Sequence, residues 1–152
     1  MQWDWIKDDR IEFPAAIAKN HRAWTVPISP QTAAIFVEMP RLLHNPYVFP
    51  ALRQRSERTT VINGWSKDKA RFDRECGVTG WTLHDLRRTY STLHAKLGTP
   101  QIVVEKLLNH VSGGTLSPIA AVYNVHRYER EMREAVLTFE HWLTKLPDGP
   151  RG

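Results

Sequence analysis

The sequence is poor in cysteine: Cys76 is the only one, so no disulfide can form within the chain. A protein without disulfides fits a reducing compartment, and we expect to find it in the cytoplasm. Apolar runs are also short, and none approaches the roughly 20 residues that a membrane-spanning helix requires. The first ten residues, MQWDWIKDDR, have neither the basic nor the apolar region of a signal peptide. These absences predict a protein without a membrane partner.

Metal-binding patterns are missing as well. The seven histidines form no His-x3-His pair, and a single cysteine cannot supply a cysteine pair. Structural zinc sites depend on such pairs. The carboxylates form no cluster of the kind that holds two catalytic metal ions. The sequence therefore predicts neither a bound metal nor another cofactor.

What the sequence does contain is enough material for one domain. The chain has 152 residues, of which 41% are hydrophobic, so it is long enough to bury a core. Lys and Arg number 21 against 16 Asp and Glu, which gives a net charge of +5. Basic side chains neutralise phosphates, so this charge fits a polyanionic partner. Simple solubility explains the same charge equally well.

The first third of the chain predicts a small antiparallel sheet. Residues 10–13 and 23–28 are short apolar or alternating runs of the kind that form strands. The polar stretch 18–22 lies between these runs. We expect it to be the turn of a hairpin.

Helices are predicted in most of the remaining chain. Ser29 and Pro30 favour a helix start, because serine caps helix N-termini and proline suits the first helical position. Thr82 and Asp85 resemble a capping box, and Gly98 is typical of a helix C-terminus. The expected fold is therefore α+β and mainly α-helical. The predicted helical segments are 30–40, 60–74, 82–97, 100–109, 118–124 and 128–143.

The helix predicted over 82–97 has two different faces. Apolar residues recur on one face at steps of three and four, and we expect that face to be buried. These residues are Leu83, Leu86, Tyr90, Leu93 and Leu97. The other face is mostly polar, and a solvated helix surface is the ordinary explanation for such a face. It carries His84, Arg87, Ser91 and His94.

Three motifs follow one another in the second half of the chain. They are WTLHDLRRT at 81–89, LLNH at 107–110 and AVYNVHRY at 121–128. In this order and spacing they resemble the His-x-x-Arg box, the Leu-Gly-His box and the nucleophile segment of tyrosine recombinases of the phage-integrase type. Asn109 stands where that family usually has glycine. The resemblance covers essentially the whole chain, most firmly residues 81–144.

The resemblance implies a role for each of five residues. Tyr123 would attack a DNA phosphate and form a 3′-phosphotyrosine. Arg87 and His110 would bind the non-bridging oxygens, since arginine pairs with phosphate bidentately and keeps its charge. His84 would take up the phenolic proton. Lys19 would protonate the departing 5′ oxygen, and no ATP or metal would be needed.

Two of these assignments have alternatives in the sequence. Lys19 lies in the predicted hairpin turn, where the family has its lysine, but an ordinary exposed lysine fits the same position. Tyr128 is the closest rival to Tyr123 as nucleophile. Tyr90 lies on the apolar face of its helix, and Tyr47 has no supporting context.

The implied enzyme is a site-specific recombinase acting on double-stranded DNA, in a tetrameric synapse with other protomers. It would be prokaryotic and nucleoid-associated. The family uses a further arginine in a short box before the sheet, and residues 1–6 resemble the stretch that follows this box. We therefore expect residues 1–146 to be a partial catalytic domain, without the upstream DNA-binding domain, and 147–152 to be a disordered tail. Such a chain should show little or no strand transfer by itself.

Other functions remain open at this point. The chain could be an inactive integrase remnant that holds DNA or a partner protomer without chemistry. A type IB topoisomerase would share the chemistry but relax DNA without a synapse. A plain basic helical domain with chance motif matches is the fourth alternative.

Overall fold

The computed structural model of the chain describes residues 1–18, 20–51, 61–110 and 126–147. Within these ranges it has three short β-strands and five α-helices. The prediction of a mainly helical α+β fold with a small antiparallel sheet near the start is confirmed. The elements are β1 (Ile6–Lys7), β2 (Arg10–Phe13), β3 (Trp24–Pro27), α1 (Pro30–Glu38), α2 (Trp65–Cys76), α3 (Leu83–Lys96), α4 (Gln101–Leu107) and α5 (Glu129–Thr144).

The sheet is antiparallel with the order β1-β2-β3. The predicted hairpin is its β2–β3 pair, in which Phe13 lies opposite Trp24 and the two rings stack with centroids 4.7 Å apart. The sequence did not predict β1, which pairs Ile6 with Ile11. It also missed a short 3-10 helix, Ala15–Ile17, in the connection between β2 and β3. The hairpin therefore has a long, partly helical connection instead of a tight turn.

The helix ends largely follow the capping residues. Ser29 precedes α1, and its Oγ accepts the N–H of Thr32 at 3.2 Å. Before α3, the Asp85 carboxylate accepts the backbone N–H of Thr82 at 2.9 Å and its hydroxyl at 2.8 Å. Both hydrogen bonds lower the pKa of Asp85, and the one from the backbone N–H has the larger effect. α2 begins at Trp65, five residues after the predicted start at position 60.

The main core cluster lies where α4 and α5 meet. Its buried members are Val103, Leu107, Met132 and Ala135, each less than 7% exposed. Burying an aliphatic side chain of this size stabilises a fold by roughly 1.5–3 kcal/mol. Val26 of β3 and Tyr90 of α3 pack against this cluster. The helical layer and the sheet thus share one core.

The expected orientation of α3 is wrong at both ends. Leu83 and Leu86, predicted to be buried, are 48% and 56% exposed, whereas His94, predicted on the polar face, is fully buried. The His94 ring stacks on Phe139 of α5 with centroids 4.9 Å apart. The Tyr90 ring makes an edge contact with His94, and their centroids are 4.3 Å apart. The side of α3 that carries His94 is therefore packed against Phe139 and buried. Counting apolar residues could not reveal this, because an imidazole packs as an aromatic ring when it is neutral.

Two further predictions fall outside the described residues. They are the helix over 118–124 and, apart from Pro147, the tail predicted over 147–152. Among the helices that the structure describes, none has the length and apolar character to cross a bilayer.

Candidate functional site

An open cleft of about 720 Å³ lies between the β2–β3 connection and the C-terminal end of α4. One wall comes from the sheet and its connection, which contribute Phe13, Ile17, Ala18, Asn20 and Trp24. The other wall comes from α3 and the end of α4, which contribute Arg87, Leu108, Asn109 and His110. Residues of two of the three sequence motifs therefore form one wall of the cleft, and the hairpin forms the opposite wall.

Arg87 and His110 meet in this cleft, although 23 positions separate them. The Nε of Arg87 donates to the Nε2 of His110 at 3.1 Å, and one terminal nitrogen of Arg87 donates to the carbonyl oxygen of Leu108. A ring nitrogen that accepts a hydrogen bond carries no proton, so this contact assigns the Nδ1–H tautomer to His110. Arginine has five N–H donors. The two contacts use two of them and fix the orientation of the guanidinium.

The end of α4 explains how His110 reaches the cleft. Asn109 has a left-handed backbone with φ of +50°. Its N–H donates to the carbonyl of Lys106 at 3.2 Å, and the N–H of His110 donates to that of Glu105 at 2.9 Å. This is the Schellman pattern, in which the left-handed residue is usually glycine and sometimes asparagine. The glycine of the related motif and the asparagine found here therefore meet the same backbone requirement.

Two side-chain hydrogen bonds hold the hairpin to the end of α4. The Nδ2 of Asn20 donates to the Oδ1 of Asn109 at 3.0 Å, across 89 positions of sequence. The indole Nε1 of Trp24 donates to the carbonyl oxygen of Lys106 at 2.9 Å. These contacts fix one wall of the cleft relative to the other.

The remaining predicted residues have a different status. His84 lies one helical turn before Arg87, is exposed, and does not line the cleft. Its side chain makes no hydrogen bond to another described residue. Lys19 and Tyr123 lie outside the described residues, although Ala18 and Asn20, the sequence neighbours of Lys19, both line the cleft. The described structure therefore joins Arg87 and His110.

Three residues of this site were not predicted from the sequence. Asn20, Trp24 and Asn109 connect the two walls, but nothing in their local patterns indicates their distant partners. Asn109 offered one signal, since it replaces the glycine of the motif. Asn20 lay in the predicted turn, where asparagine is common for local reasons.

The other tyrosines differ in their surroundings. Tyr90 packs against the core cluster, and burial raises its pKa to about 12, which disfavours the phenolate that a nucleophile needs. Tyr128 immediately precedes α5 with φ of +58°, and its N–H donates to the Nδ1 of His126 at 3.1 Å. Its ring also packs against the core cluster. Tyr47 pairs with Gln2 in an isolated β-bridge, distant in sequence from all three motifs.

No group of three or more His, Cys, Asp or Glu side chains converges as a metal site among the described residues. Comparisons with protein-family models, with curated proteins and with solved structures gave no match. Any functional proposal therefore depends on the motifs and on the geometry of the cleft.

Proposed function

We propose that this chain is the catalytic part of a tyrosine recombinase of the phage-integrase type. It cleaves and rejoins double-stranded DNA through a 3′-phosphotyrosine at Tyr123. The observation that carries the proposal is the contact between Arg87 and His110 in an open cleft. Two separate motifs that resemble one family's catalytic boxes bring their polar side chains together there.

The chemistry of this pair suits a phosphodiester. Its transition state spreads negative charge over the non-bridging oxygens, and preorganised donors stabilise that charge. Arg87 keeps N–H groups beyond the two that are engaged, and the Nδ1–H of His110 is a further donor. A guanidinium already held by His110 and the Leu108 carbonyl loses little freedom when phosphate binds.

The proposed reaction has two transfers that balance. The phenolic oxygen of Tyr123 forms a bond to phosphorus while the bond from phosphorus to the 5′ oxygen breaks. His84 accepts the phenolic proton, and Lys19 gives a proton to the departing 5′ oxygen. A 5′-hydroxyl from a second strand reverses the step, because the phosphotyrosine linkage retains the energy of the original bond.

A second function, DNA binding without chemistry, has one observation in its favour. His84 is exposed and lies outside the lining of the cleft, where a proton acceptor for Tyr123 would be expected. In such a remnant the Arg87–His110 pair would bind a backbone phosphate, and no covalent product would form. The net charge of +5 is compatible with both functions.

Covalent trapping separates the two functions. The unsubstituted chain is incubated with a library of duplexes that are randomised around a nick, so that cleavage releases a short strand with a 5′-hydroxyl and cannot be reversed. Slow cleavage accumulates as protein-linked DNA, which is recovered under denaturing conditions and sequenced. We expect a small amount of linked DNA with a preferred sequence, lost in Tyr123→Phe and retained in Tyr128→Phe.

Each other outcome has a definite meaning. Loss of the product in Tyr128→Phe but not in Tyr123→Phe would move the nucleophile to Tyr128. Retained binding of the duplex library without any covalent product would reject the catalytic proposal and support the binding remnant. Linked DNA that survives both substitutions would reject a tyrosine nucleophile at either position.

A further inference from the structure

The wall of the cleft opposite Arg87 is largely apolar, and the proposed reaction makes no use of it. Phe13, Ile17 and Trp24 line this wall together. Ile17 is 54% exposed, which leaves much of an aliphatic side chain open to a ligand. A phosphate oxygen gains nothing from an apolar contact, because it needs hydrogen-bond donors. The wall is therefore suited to another part of the ligand that Arg87 binds.

Contacts within the protein fix this apolar wall. Phe13 and Trp24 stack with an interplanar angle of 17° and centroids 4.7 Å apart. The indole Nε1, the only polar atom of the Trp24 side chain, donates to the Lys106 carbonyl. The 3-10 helix that ends at Ile17 is closed by the N–H of Ile17, which donates to the Pro14 carbonyl at 3.2 Å. The apolar surface is thus preorganised, and ordering it costs little when a ligand binds.

The cleft combines this apolar wall with a cationic one. Arg87 keeps N–H donors beyond the two that bind His110 and the Leu108 carbonyl. Sites for organic ligands commonly have apolar walls and a few polar groups that fix the orientation of the ligand. The volume of about 720 Å³ lies in the range of such sites, and a phosphate group fills only a small part of it. The expected ligand is a phosphate with an apolar ring or sugar attached.

The rim of the cleft favours a nucleic acid over a phosphorylated peptide. Arg22 and Lys106 are exposed, and their backbones bond directly to residues that line the cleft. The N–H of Arg22 donates to Asn20, and the Lys106 carbonyl accepts the Trp24 indole. A nucleic acid strand carries a phosphate at every nucleotide, so it can engage these basic side chains in addition to Arg87. A phosphotyrosine offers a single phosphate and gains less from them.

We propose that the cleft binds one unpaired nucleotide of the DNA, with its phosphate at Arg87 and His110 and its base against Ile17 and the Phe13–Trp24 stack. This inference rests on the function proposed above, and it assigns to Ile17 a contact with the base. In a duplex the bases are stacked and turned away from the phosphates, so the bound base leaves the stack to reach the wall. Aromatic side chains accept any base, because every base has a π-face.

Four dinucleotides that share one phosphodiester test the proposal without any cleavage. They are TpT, the two forms in which one sugar carries no base, and the form without bases. Their dissociation constants for the full chain are measured by NMR titration. Contact between a base and an aromatic side chain strengthens binding about 5- to 150-fold, so we expect one base to give at least about fivefold over the base-free form. Equal constants for all four, or no binding of any, would overturn the proposal.

Ile17→Ala tests whether the gain from the base comes from the apolar wall. The variant shortens an exposed side chain and leaves Arg87 and His110 in place. Each buried methylene strengthens binding about fourfold. We therefore expect Ile17→Ala to weaken the tightest base-containing dinucleotide by at least about fourfold and the base-free form by less than about twofold.

Ile35→Ala is the matched control for this variant. Ile35 has a similar exposure, 58%, and lies on α1 outside the lining of the cleft. It should leave all four dissociation constants unchanged. Equal effects of the two substitutions would overturn the proposal, as would equal losses of the base-containing and base-free dinucleotides in Ile17→Ala.

The indole N–H signal of Trp24 locates the bound base. Trp24→Phe removes one indole signal from the spectrum and so identifies it. TpT should shift this signal more than the base-free dinucleotide does. The indole of Trp65, which is 52% exposed on α2 and outside the lining of the cleft, should not respond. Shifts that spare Trp24 and appear at Trp65 would overturn the proposal.

Two comparisons separate this proposal from its alternatives. The gain from a phenol ring is measured as phosphotyrosine against phosphoserine, and a gain larger than that from the base would overturn the proposal in favour of a phosphopeptide. Covalent trapping decides the proposed function independently. A chain that discriminates among the dinucleotides but forms no covalent product keeps the nucleotide cleft and loses the recombinase reaction. A covalent product without discrimination among the dinucleotides rejects the nucleotide cleft alone.

Discussion

The Nε of Arg87 on α3 lies 3.1 Å from the Nε2 of His110, which follows α4. The donor is the guanidinium and the acceptor is the imidazole. The second contact of Arg87, to the Leu108 carbonyl, comes from the same short segment. Arg87 thus connects α3 to the end of α4 through two hydrogen bonds, one to an imidazole nitrogen and one to a backbone carbonyl oxygen.

Replacing Arg87 by lysine should disable the site without unfolding the protein. An ammonium group is a compact charge that cannot reproduce the planar fork, so both contacts and the bidentate binding of phosphate are lost. Removing one transition-state donor typically costs about a hundred- to a thousandfold in rate. We expect covalent trapping by Arg87→Lys to fall by at least about a hundredfold, while the two lost hydrogen bonds lower the free energy of unfolding, measured with urea, by only about 1–3 kcal/mol.

Arg88→Lys is the matched control for this prediction. Arg88 is the next residue on α3, and its side chain is 74% exposed and paired with Asp85 at 3.3 Å. Such surface pairs contribute little to stability. Trapping that falls equally in both variants would contradict a specific role for Arg87.

Acidification should destabilise the protein through His94. Burial between Tyr90 and Phe139 lowers the pKa of His94 below its ordinary value of 6.5, so the unfolded chain binds a proton more readily than the folded one. The contribution of neutral His94 to the free energy of unfolding is therefore fully present above about pH 6.5, and it is lost as the pH is lowered through that value. The limiting slope is about 1.4 kcal/mol per pH unit. Urea denaturation at pH 7.5 and at pH 5.5 should reveal the loss.

His94→Asn tests the origin of this pH dependence. Its amide can occupy the position of Nδ1, which lies 3.0 Å from the Thr99 hydroxyl, but it does not titrate. The variant should be less stable at pH 7.5 and nearly independent of pH between 7.5 and 5.5. His141→Asn, at an exposed position on α5, should keep the pH dependence. If His94→Asn retains the same slope, His94 is not its source.

Removing the indole N–H of Trp24 should weaken the connection between the hairpin and α4. Trp24→Phe keeps an aromatic ring for stacking on Phe13 and deletes the bond to the Lys106 carbonyl. A net hydrogen bond contributes about 0.5–1.5 kcal/mol, and the Lys106 carbonyl keeps the N–H of Asn109 as a second donor. We expect a loss of about 1 kcal/mol in the free energy of unfolding, measured with urea. Trp5→Phe, which changes a ring in edge contact with Phe13, should cost less.

The exposed leucines of α3 should tolerate polar replacement. Leu86 is 56% exposed and Leu107 is 3% exposed. Leu86→Gln should change the free energy of unfolding by about 0.5 kcal/mol or less. Leu107→Ala should cost about 2–5 kcal/mol, because it opens a cavity in the core. A large loss in Leu86→Gln would mean that this face of α3 is covered in solution.

Local patterns predicted most elements of the fold because their causes are local. Ser29 caps α1 and Thr82 precedes α3 as expected, since a cap depends on residues within one turn. The short strand β1 was missed because two residues carry no periodicity. The burial of His94 was missed because it depends on Phe139, which lies 45 positions away on another helix.

The candidate site divides in the same way. The family resemblance implied that Arg87 and His110 act on the same phosphate, and the structure brings the two side chains into contact. Asn20 and Trp24 were not predicted, because their partners lie 89 and 82 positions away. His84 remains a prediction, as it is exposed and outside the lining of the cleft. The assignments of Lys19 and Tyr123 also remain predictions.

The two bonds from Asn20 and Trp24 have a consequence for how the cleft receives a ligand. The two walls are connected near the end of α4. Widening the cleft would therefore break two hydrogen bonds at once, the one between the Asn20 and Asn109 side chains and the one from the Trp24 indole to the Lys106 carbonyl. A site of this kind selects its ligand by a width that is set in advance, and little reorganisation is left for the moment of binding. Under the proposed function, a phosphate must present its oxygens at the spacing that Arg87 and His110 already offer. The β2–β3 hairpin, held to the end of α4 by these two hydrogen bonds, therefore determines the width of the cleft.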